Sequence, residues 1–479
     1  MVGITAYGVY LPRYRLSRKT ISQAMGWFNP MTLPGEKAVA GYDEDSITMA
    51  VAAGMNCLDK VDRQRVDGLY FATTTAPYRE RESAAIIATA LDLGSNIRTA
   101  DFADSLKSGT AALVSASEAV AAGGASNILV CVADLRLGRP GSSAEIIFGD
   151  GAAAFLVGRE GVIASFEGSY SVSYDFPDHW RSEGEKFDRA LEDRWIRDEG
   201  YGRFIPEAIS GLLKKYGLEA RDFSKVIYPG LYLRDHASIG KKLGFEPAQL
   251  QEPLLTRVGE IGSASPLLML AEALEGAKPG DKILVASYGS GSEALFFKVT
   301  EEIEGRRARR GFSFYLNHKE ELTSYEKYIV SHRILPVEMG FRGEVGPTQL
   351  PLTWRERKLI LALCGSRCRR CGTPQYPPQR VCVNPECGAI DEMEEYRFSD
   401  KRGTLFTYTE DHLAFTLNPP QIYGMVDFDG GGRFVFDITD CEPGSLKVGM
   451  PVEMTLRRKY LDEVRGIHGY FWKAMPVRD

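Results

Sequence analysis

The 479-residue sequence predicts a duplicated, layered α/β body that is followed by a cysteine-rich metal module and a small all-β domain. Three observations lead to this fold class. Two helix–strand units have the same order, five cysteines fall within 24 positions, and short β-type runs fill the last 80 residues. A chain of this length exceeds what one hydrophobic core organises, so we expect several domains.

The duplication rests on two segments that share the order helix, turn and β-branched strand, residues 111–133 and 267–288. Each leads through a glycine-rich turn into a second apolar strand, at 148–158 and at 289–299. Helices that alternate with buried strands indicate layered α/β architecture. Chance similarity of amphipathic segments is the alternative, but the matched position of the glycine turns favours a duplicated fold.

After about residue 300 the composition changes to charged residues and turn formers, which are typical of a linker. Beyond the cysteines, Gly, Pro, Asp and Asn separate short β-type runs, a pattern that predicts a small barrel or sandwich. We therefore expect five parts: an N-terminal half, 1–165; a C-terminal half, 166–302; a linker, 303–350; a helix with the metal module, 351–395; and the all-β domain, 396–479.

The metal module has the spacing Cys368-x2-Cys371, ten residues, then Cys382-x4-Cys387. Two close pairs of thiolates complete a tetrahedron around Zn²⁺ and leave no position for water, so we predict a structural zinc site. An unmetallated cluster of buried thiols is the alternative. Cys364 could replace one ligand, although we expect it on the preceding helix as a core residue.

Four arginines crowd this module. They could bind a phosphorylated ligand such as the nucleotide end of coenzyme A, although a solvated basic face is the default interpretation. These residues are Arg367, Arg369, Arg370 and Arg380.

The overall charge argues against one class of partner. Lys and Arg number 58 against 64 Asp and Glu, and the net charge of −6 disfavours sequence-independent binding of nucleic acid. No apolar run approaches the roughly 18 residues that a membrane span needs, and the first residues lack a signal-peptide pattern. We expect a cytoplasmic protein with neither a nucleic-acid nor a membrane partner.

Four segments of the body resemble the thiolase superfamily, specifically its 3-hydroxy-3-methylglutaryl-CoA synthase-like branch. They are GITAYGVYLPRYRL at 3–16, KSGTAAL at 107–113, FGDGAAA at 148–154 and GSGSE at 289–293. The cysteine segment, RGTLFTYT and GYFWKAMP are similar to the zinc-ribbon and OB-fold accessory domain of thiolase partners. The resemblance implies a thiolase-like body with a zinc ribbon and an OB-type barrel, a CoA thioester as substrate, and a homodimer or a complex with a thiolase.

The resemblance also marks where the catalytic residues of that branch would fall. Its acyl-accepting cysteine falls on Leu106, its acid/base glutamate on Thr74, its histidine on Pro229 and its asparagine on Glu260. Leucine cannot be acylated, and all four identities are changed. The resemblance therefore implies the fold more firmly than the covalent mechanism.

Few residues offer a substitute. Ser105 and Ser108 flank the vacated position, but a serine nucleophile needs an adjacent base and no histidine lies nearby in the sequence. His236 is expected as a surface or helix-capping histidine on the following helix, and Cys131 as a core thiol. Glu260 is an acid/base candidate if burial raises its pKa; a surface-loop glutamate is the default.

The sequence leaves three alternative hypotheses for the function of the protein. The first is aldol or retro-aldol chemistry on an acyl-CoA without a covalent cysteine intermediate, with Glu260 and Ser105 as catalytic candidates. The second is a non-catalytic subunit that pairs with a cysteine-containing thiolase, its zinc/OB module assisting CoA binding or assembly. The third is a condensing acyltransferase like 3-hydroxy-3-methylglutaryl-CoA synthase, with a serine as acyl acceptor.

Overall fold

A computed structural model of the protein describes residues 1–338 and 346–478. The chain divides into two compact units. The first comprises Met1–Ala40, Asp45–Ala85 and Gly94–Tyr328, and the second comprises Gly41–Glu44, Ile86–Leu93 and Ile329–Asp479. Among the described residues no helix is long and apolar enough to cross a membrane.

The chain up to residue 331 contains twelve of the described strands. They are β1 Gly3–Tyr10, β2 Tyr14–Ser17, β3 Glu36–Val39, β4 Gly68–Ala72, β5 Arg98–Phe102, β6 Ile128–Leu135, β7 Asp150–Gly158, β8 Ala164–Ser173, β9 Lys225–Ile227, β10 Lys282–Tyr288, β11 Gly291–Val299 and β12 Glu320–Glu321.

The helices of the same segment cover these strands or connect them. They are α1 Arg18–Met25, α2 Ser46–Cys57, α3 Ser83–Ala90, α4 Ser108–Ala121, α5 Ser143–Ile147, α6 Asp193–Trp195 with the π-helical turn Ile196–Tyr201, α7 Gly202–Tyr216, α8 Leu233–Lys242, α9 Ser265–Gly276, α10 Phe312–Asn317 and α11 Tyr325–Ser331.

The predicted duplication is confirmed by the strand order of the large sheet, β5-β4-β6-β7-β1-β8-β11-β10-β9. The two halves meet where β1 pairs with β8 through Gly3↔Ser165 and Ile4↔Ala164. Outward from this seam, β1-β7-β6-β4 on one side corresponds to β8-β11-β10-β9 on the other. In each half a helix precedes an antiparallel pair, α4 before β6 and β7, and α9 before β10 and β11.

The equivalent helices α4 and α9 approach each other closely, and a glycine makes this possible. A Cβ at Gly109 would lie 2.5 Å from the carbonyl oxygen of Ser263, just before α9 begins. Strand β7 is buried along its whole length and β6 along all but its last residue, so both are covered on two faces. This explains their continuous apolar sequences.

The second unit contains a small three-stranded sheet and a five-stranded sheet. The latter has the order β18-β17-β16-β19-β20, and a bridge between Ile438 and Ala474 joins the end of β18 to β20, closing the sheet into a small OB-type barrel. The elements are α12 Leu350–Arg355, α13 Arg357–Leu361, β13 Cys364–Cys368, β14 Pro374–Gln375, β15 Met393–Arg397, β16 Arg402–Asp411, β17 Gln421–Phe428, β18 Arg433–Asp437, β19 Pro451–Asp462 and β20 Ile467–Pro476.

Candidate active site and metal centre

The four cysteines of the predicted zinc site meet at one point. Their Sγ atoms all lie within 4.8 Å of one another, with 3.8 Å between Cys368 and Cys387 and 3.5 Å between Cys371 and Cys382. A tetrahedron of sulfurs about 2.3 Å from zinc has edges of about 3.8 Å, so the donors fit this ion. The chain contains the metal centre of a zinc ribbon, as the spacing predicted.

The fifth cysteine stands apart from the four ligands. Cys364 lies at the start of β13, so the expectation that it lies on the preceding helix is wrong, although it is buried as expected. Burial raises the pKa of this thiol to about 12, which keeps it protonated. Its carboxylate neighbour Asp92 is paired with Arg397 at 3.0 Å. Cys364 belongs to this polar cluster rather than to the four thiolates.

Two of the four arginines of the ribbon pair with carboxylates. Arg380 forms two hydrogen bonds of 2.7 Å to Asp391, and Arg367 donates to Glu394 at 2.6 Å. Half of the predicted basic cluster is thus neutralised within the ribbon, which favours the interpretation as a solvated surface.

In the first unit, the position expected for an acyl-accepting cysteine lies immediately before α4. Leu106 is buried there, and Gly289 approaches it so closely that a Cβ on this glycine would lie 2.9 Å from the Leu106 nitrogen. Gly289 has a φ of +156°, within the range that favours glycine. The loop after β10 therefore packs directly onto the helix terminus.

Among the described residues, neither serine beside Leu106 has a base as its hydrogen-bond partner. The Ser105 hydroxyl donates to the carbonyl oxygen of Gly289 at 3.2 Å and accepts from the Lys107 nitrogen at 3.3 Å. The Ser108 hydroxyl is buried without a hydrogen-bond partner among the described residues. A serine nucleophile needs a group that takes its proton, and in this structure the Ser105 proton is held by a neutral carbonyl.

Thr74 follows β4 and holds a carboxylate that the sequence analysis missed. Its backbone nitrogen and hydroxyl donate to Asp134 at 2.6 and 3.1 Å, and the hydroxyls of Thr73 and Thr75 donate to the same oxygen, each at 3.0 Å. Ser263 donates twice to the other oxygen at 2.7 Å. The Asp134 side chain is fully buried, and these hydroxyl and backbone donors satisfy both of its oxygens. The run of three threonines after a buried strand was the available signal.

Glu260 is buried, so the default interpretation as a surface-loop residue is wrong. Only 3% of its surface is exposed, because its backbone bonds to the loop before β7, where the Gly149 nitrogen donates to the Glu260 oxygen at 3.0 Å. Burial raises the pKa of Glu260 to about 7, although the Ser265 hydroxyl and the Arg136 guanidinium favour the carboxylate. At neutral pH this group can therefore both give and accept a proton.

Pro229 lies within a group of tyrosines. The Tyr201 hydroxyl donates to the Pro229 carbonyl oxygen at 2.5 Å, and the Tyr201 ring packs edge-on against Tyr232 and Tyr288 with centroids 5.5 and 5.8 Å away. Burial, followed by the negative charges of neighbours that include Glu260, raises the pKa of Tyr201. Position 229, where the resemblance places the histidine, thus lies in an aromatic cluster, and Glu260 is near enough for its charge to act on Tyr201.

The remaining sequence candidates lie in the core. His236 is on α8 as expected, but it is buried rather than on the surface, with its ring 4.3 Å from that of Tyr228. Burial lowers the pKa of His236 to about 4, so it is neutral at physiological pH. Cys131 is buried in β6 as predicted, and burial raises its pKa well above the ordinary thiol value.

Family comparisons match both parts of the chain. The zinc segment matches the rubredoxin-like zinc ribbon domain of ChsH2 over residues 356–391, and the barrel matches the C-terminal OB-fold domain of ChsH2 over 396–457. The body matches 3-oxoacyl-[acyl-carrier-protein] synthase III over 100–171 and the C-terminal region of that family over 213–296.

Curated relatives cover the body. The chain is 36% identical over 317 residues to the hydroxymethylglutaryl-CoA synthase of Methanopyrus kandleri, covering 64% of this chain and 90% of the relative. It is also 36% identical over 314 residues to that of Pyrococcus furiosus, covering 64% and 89%. A crystal structure of HMG-CoA synthase complexed with CoA has the same fold, with a TM-score of 0.63 and 19% identity over 73% of this chain and 94% of that one.

Proposed function

The chain belongs to the hydroxymethylglutaryl-CoA synthase family, and on this premise we propose that it makes or breaks a carbon–carbon bond in a CoA thioester by aldol or retro-aldol chemistry, without a covalent acyl-enzyme. The observation that carries the proposal is the buried Leu106 at the start of α4. A thiol at a helix N-terminus is activated by the helix dipole, whereas the leucine side chain offers no nucleophile there.

Glu260 supports a route that needs only proton transfer. In the cleavage direction a base removes the proton of a 3-hydroxyl, the C2–C3 bond breaks, and its electron pair moves into the enolate of the thioester. C3 leaves as a carbonyl, and C2 takes a proton from a general acid. A carboxyl with a pKa of about 7 carries that proton at neutral pH, and the reverse sequence forms the bond.

A condensing acyltransferase is the second candidate, because the curated relatives at 36% identity are hydroxymethylglutaryl-CoA synthases. In this chain it requires Ser105 or Ser108 as the acyl acceptor. The Ser105 hydroxyl donates to the Gly289 carbonyl and the Ser108 hydroxyl has no hydrogen-bond partner, so among the described residues neither serine has a base to take its proton.

A non-catalytic subunit is the weaker alternative, because the relatives that match the body are enzymes and the match covers nine-tenths of their length. Assembly as a homodimer or with a cysteine-containing thiolase, assistance to CoA binding by the zinc/OB module, and a location in the cytoplasm remain predictions from the sequence.

The test is to incubate the purified full-length protein with 3-hydroxyacyl-CoA esters, 3-hydroxy-3-methylglutaryl-CoA among them, and to follow products by liquid chromatography and mass spectrometry. We expect a shorter acyl-CoA and a carbonyl compound in equal amounts. Absence of cleavage with every ester, alone and with a thiolase, would contradict the proposal.

Intact-mass measurement separates the two catalytic candidates. Wild-type protein treated with acetyl-CoA should gain no mass, whereas the Leu106→Cys variant places a thiol at the helix terminus and should gain one acetyl group. Ser105→Ala is the matched control. A wild-type adduct that disappears in Ser105→Ala would establish the acyltransferase instead.

A further inference from the structure

The loop between β8 and α6 carries a histidine whose ring is fixed by a buried carboxylate. Asp178 Oδ1 accepts from the His179 backbone nitrogen and lies 2.8 Å from His179 Nδ1. Asp178 is 6% exposed and the His179 side chain 24%. Because a carboxylate beside Nδ1 selects the tautomer with its proton on that nitrogen, the lone pair of the neutral ring is on Nε2.

The charge of Asp178 is maintained by this pairing. Burial acts to raise the pKa of Asp178, but the hydrogen bonds from His179 outweigh it and hold the pKa below the ordinary value. Nε2 of His179 makes no hydrogen bond to a residue that the structure describes. The arrangement, with a buried carboxylate behind a partly exposed imidazole, is that of a positioned general base.

Three contacts place this loop at the vacated catalytic positions. The first is a hydrogen bond from the Arg181 guanidinium to the carbonyl oxygen of Thr74. Arg181 also pairs with Asp188 at 3.0 Å, and Trp180 and Arg189 exchange backbone hydrogen bonds of 3.0 and 2.9 Å. The loop is therefore closed on itself and tied to the end of β4.

The second and third contacts run through Tyr288. Its hydroxyl is buried beside the Asp178 carboxylate, makes no short hydrogen bond to a described residue, and has its pKa raised by burial and by that charge. The next residue, Gly289, packs on Leu106, and the Tyr288 ring packs on Tyr201, which holds the Pro229 carbonyl. Through Arg181 and Tyr288 the loop that carries the dyad is therefore linked to positions 74, 106 and 229.

We infer that His179, held by Asp178, is the catalytic base that takes the 3-hydroxyl proton of the substrate in carbon–carbon bond cleavage and returns it in bond formation. The inference rests on the proposed function and deepens it, since it assigns the second of two proton-transfer groups. In cleavage the hydroxyl proton goes to Nε2, the C2–C3 electron pair goes to the thioester enolate, and the proton of Glu260 goes to C2. Solvent then returns a proton to Glu260 and accepts the one on His179.

Asp178 and Tyr288 have supporting roles. Asp178 is a positioning residue, because it acts on the tautomer and orientation of His179. The Tyr288 hydroxyl, next to the same carboxylate, and Tyr232, whose pKa is also raised by burial and nearby carboxylates, are the other titratable groups around Asp178.

The test compares pH profiles of turnover for wild type, His179→Gln, His179→Ala and Asp178→Asn, with His412→Ala in the exposed part of the barrel as the matched control. We expect His179→Gln to lower kcat by about 10²- to 10⁴-fold and to lose the acidic limb of the profile. His179→Ala should recover activity with added imidazole, because the side chain it lacks is partly exposed. Asp178→Asn should lower kcat with little change in KM, and His412→Ala should behave as wild type.

The outcomes are distinguishable. An active wild type whose His179 variants keep their turnover and acidic limb overturns this inference and leaves the proposed function standing. Loss of activity in His179→Ala that imidazole does not recover, with an unchanged pH profile in the remaining activity, shows a merely structural role and also overturns it. A wild type without cleavage removes the proposed function, and the assignment of His179 with it.

Discussion

In the zinc ribbon four identical side chains converge on one point, whereas the region around the start of α4 brings together different side chains from segments far apart. The ribbon ligands Cys368 and Cys387 span only 20 residues and lie 3.8 Å apart. That region involves positions from Thr74 to Glu260. All four ribbon positions hold the side chain that the chemistry needs, whereas at the four positions where the resemblance predicts catalytic residues this chain has Thr74, Leu106, Pro229 and Glu260.

The two regions differ in what maintains their fold. The buried cluster of the ribbon consists mainly of its cysteine ligands, so the metal is part of its folding free energy and its ligands cannot change singly. The region around α4 belongs to a large body whose strands are held by their buried apolar residues. Polar side chains there can therefore be replaced while the architecture stays.

The largest expected effect comes from the ribbon. The Cys382→Ser variant should lose stoichiometric zinc, measured by plasma mass spectrometry, and the second unit should unfold at lower denaturant concentration, because structural zinc contributes about 10 kcal/mol. Cys364→Ser should keep its zinc. Loss of zinc in Cys364→Ser with retention in Cys382→Ser would show that the fifth cysteine is a ligand.

The next largest effect is expected at Glu260. Glu260→Gln removes the proton donor but keeps size and hydrogen bonding, so cleavage of a 3-hydroxyacyl-CoA should slow by about 10²-fold or more. The basic limb of the wild-type pH profile should lie at about pH 7, where the carboxyl loses its proton. Full activity in Glu260→Gln would exclude this residue as the general acid. Glu260 would then have a structural role, like the cysteines of the zinc ribbon.

A third measurement concerns stability. The Glu260 carboxyl releases its proton at about pH 7 in the folded chain but near 4.5 in the unfolded chain. As pH rises between these values the unfolded chain ionises first, so the free energy of unfolding should fall by up to roughly 3 kcal/mol. Chemical denaturation of Glu260→Gln should lack this dependence, while Cys364→Ser should retain it. An unchanged dependence in Glu260→Gln would show that other groups cause it.

The smallest effect is expected at the surface of the ribbon. Arg380 is paired with Asp391 and exposed, so Arg380→Ala should change the KM for a CoA thioester by less than about fivefold, within the range of about 1 kcal/mol for an exposed ion pair. A much larger rise in KM would favour the interpretation of the arginine cluster as a phosphate-binding site.

Local patterns in the sequence were sufficient for much of the molecule. The spacing of the four cysteines predicted the zinc centre, because ligands on two tight turns depend only on the chain between them. The matched helix–strand units predicted the duplicated sheet. Buried helices and strands have distinct hydrophobic periodicities, and the segment of α4 and β6 shows the same succession of the two as the segment of α9 and β10. Cys131 was correctly placed in the core for the same reason.

Which polar residues lie together depends on the long-range fold. Burial of Glu260 depends on the loop before β7, more than a hundred residues earlier, and the hydroxyl ring around Asp134 joins three chain segments. The dyad of Asp178 and His179 gives no sequence signal of its own, because the contacts of its loop with Tyr288 and Thr74 join distant segments. Helices, strands and the turns that hold metal ligands depend chiefly on residues nearby in the sequence, so sequence patterns were sufficient to predict them. The pKa of a buried group and its capacity for catalysis depend on residues that are distant in the sequence, so these properties follow from the fold.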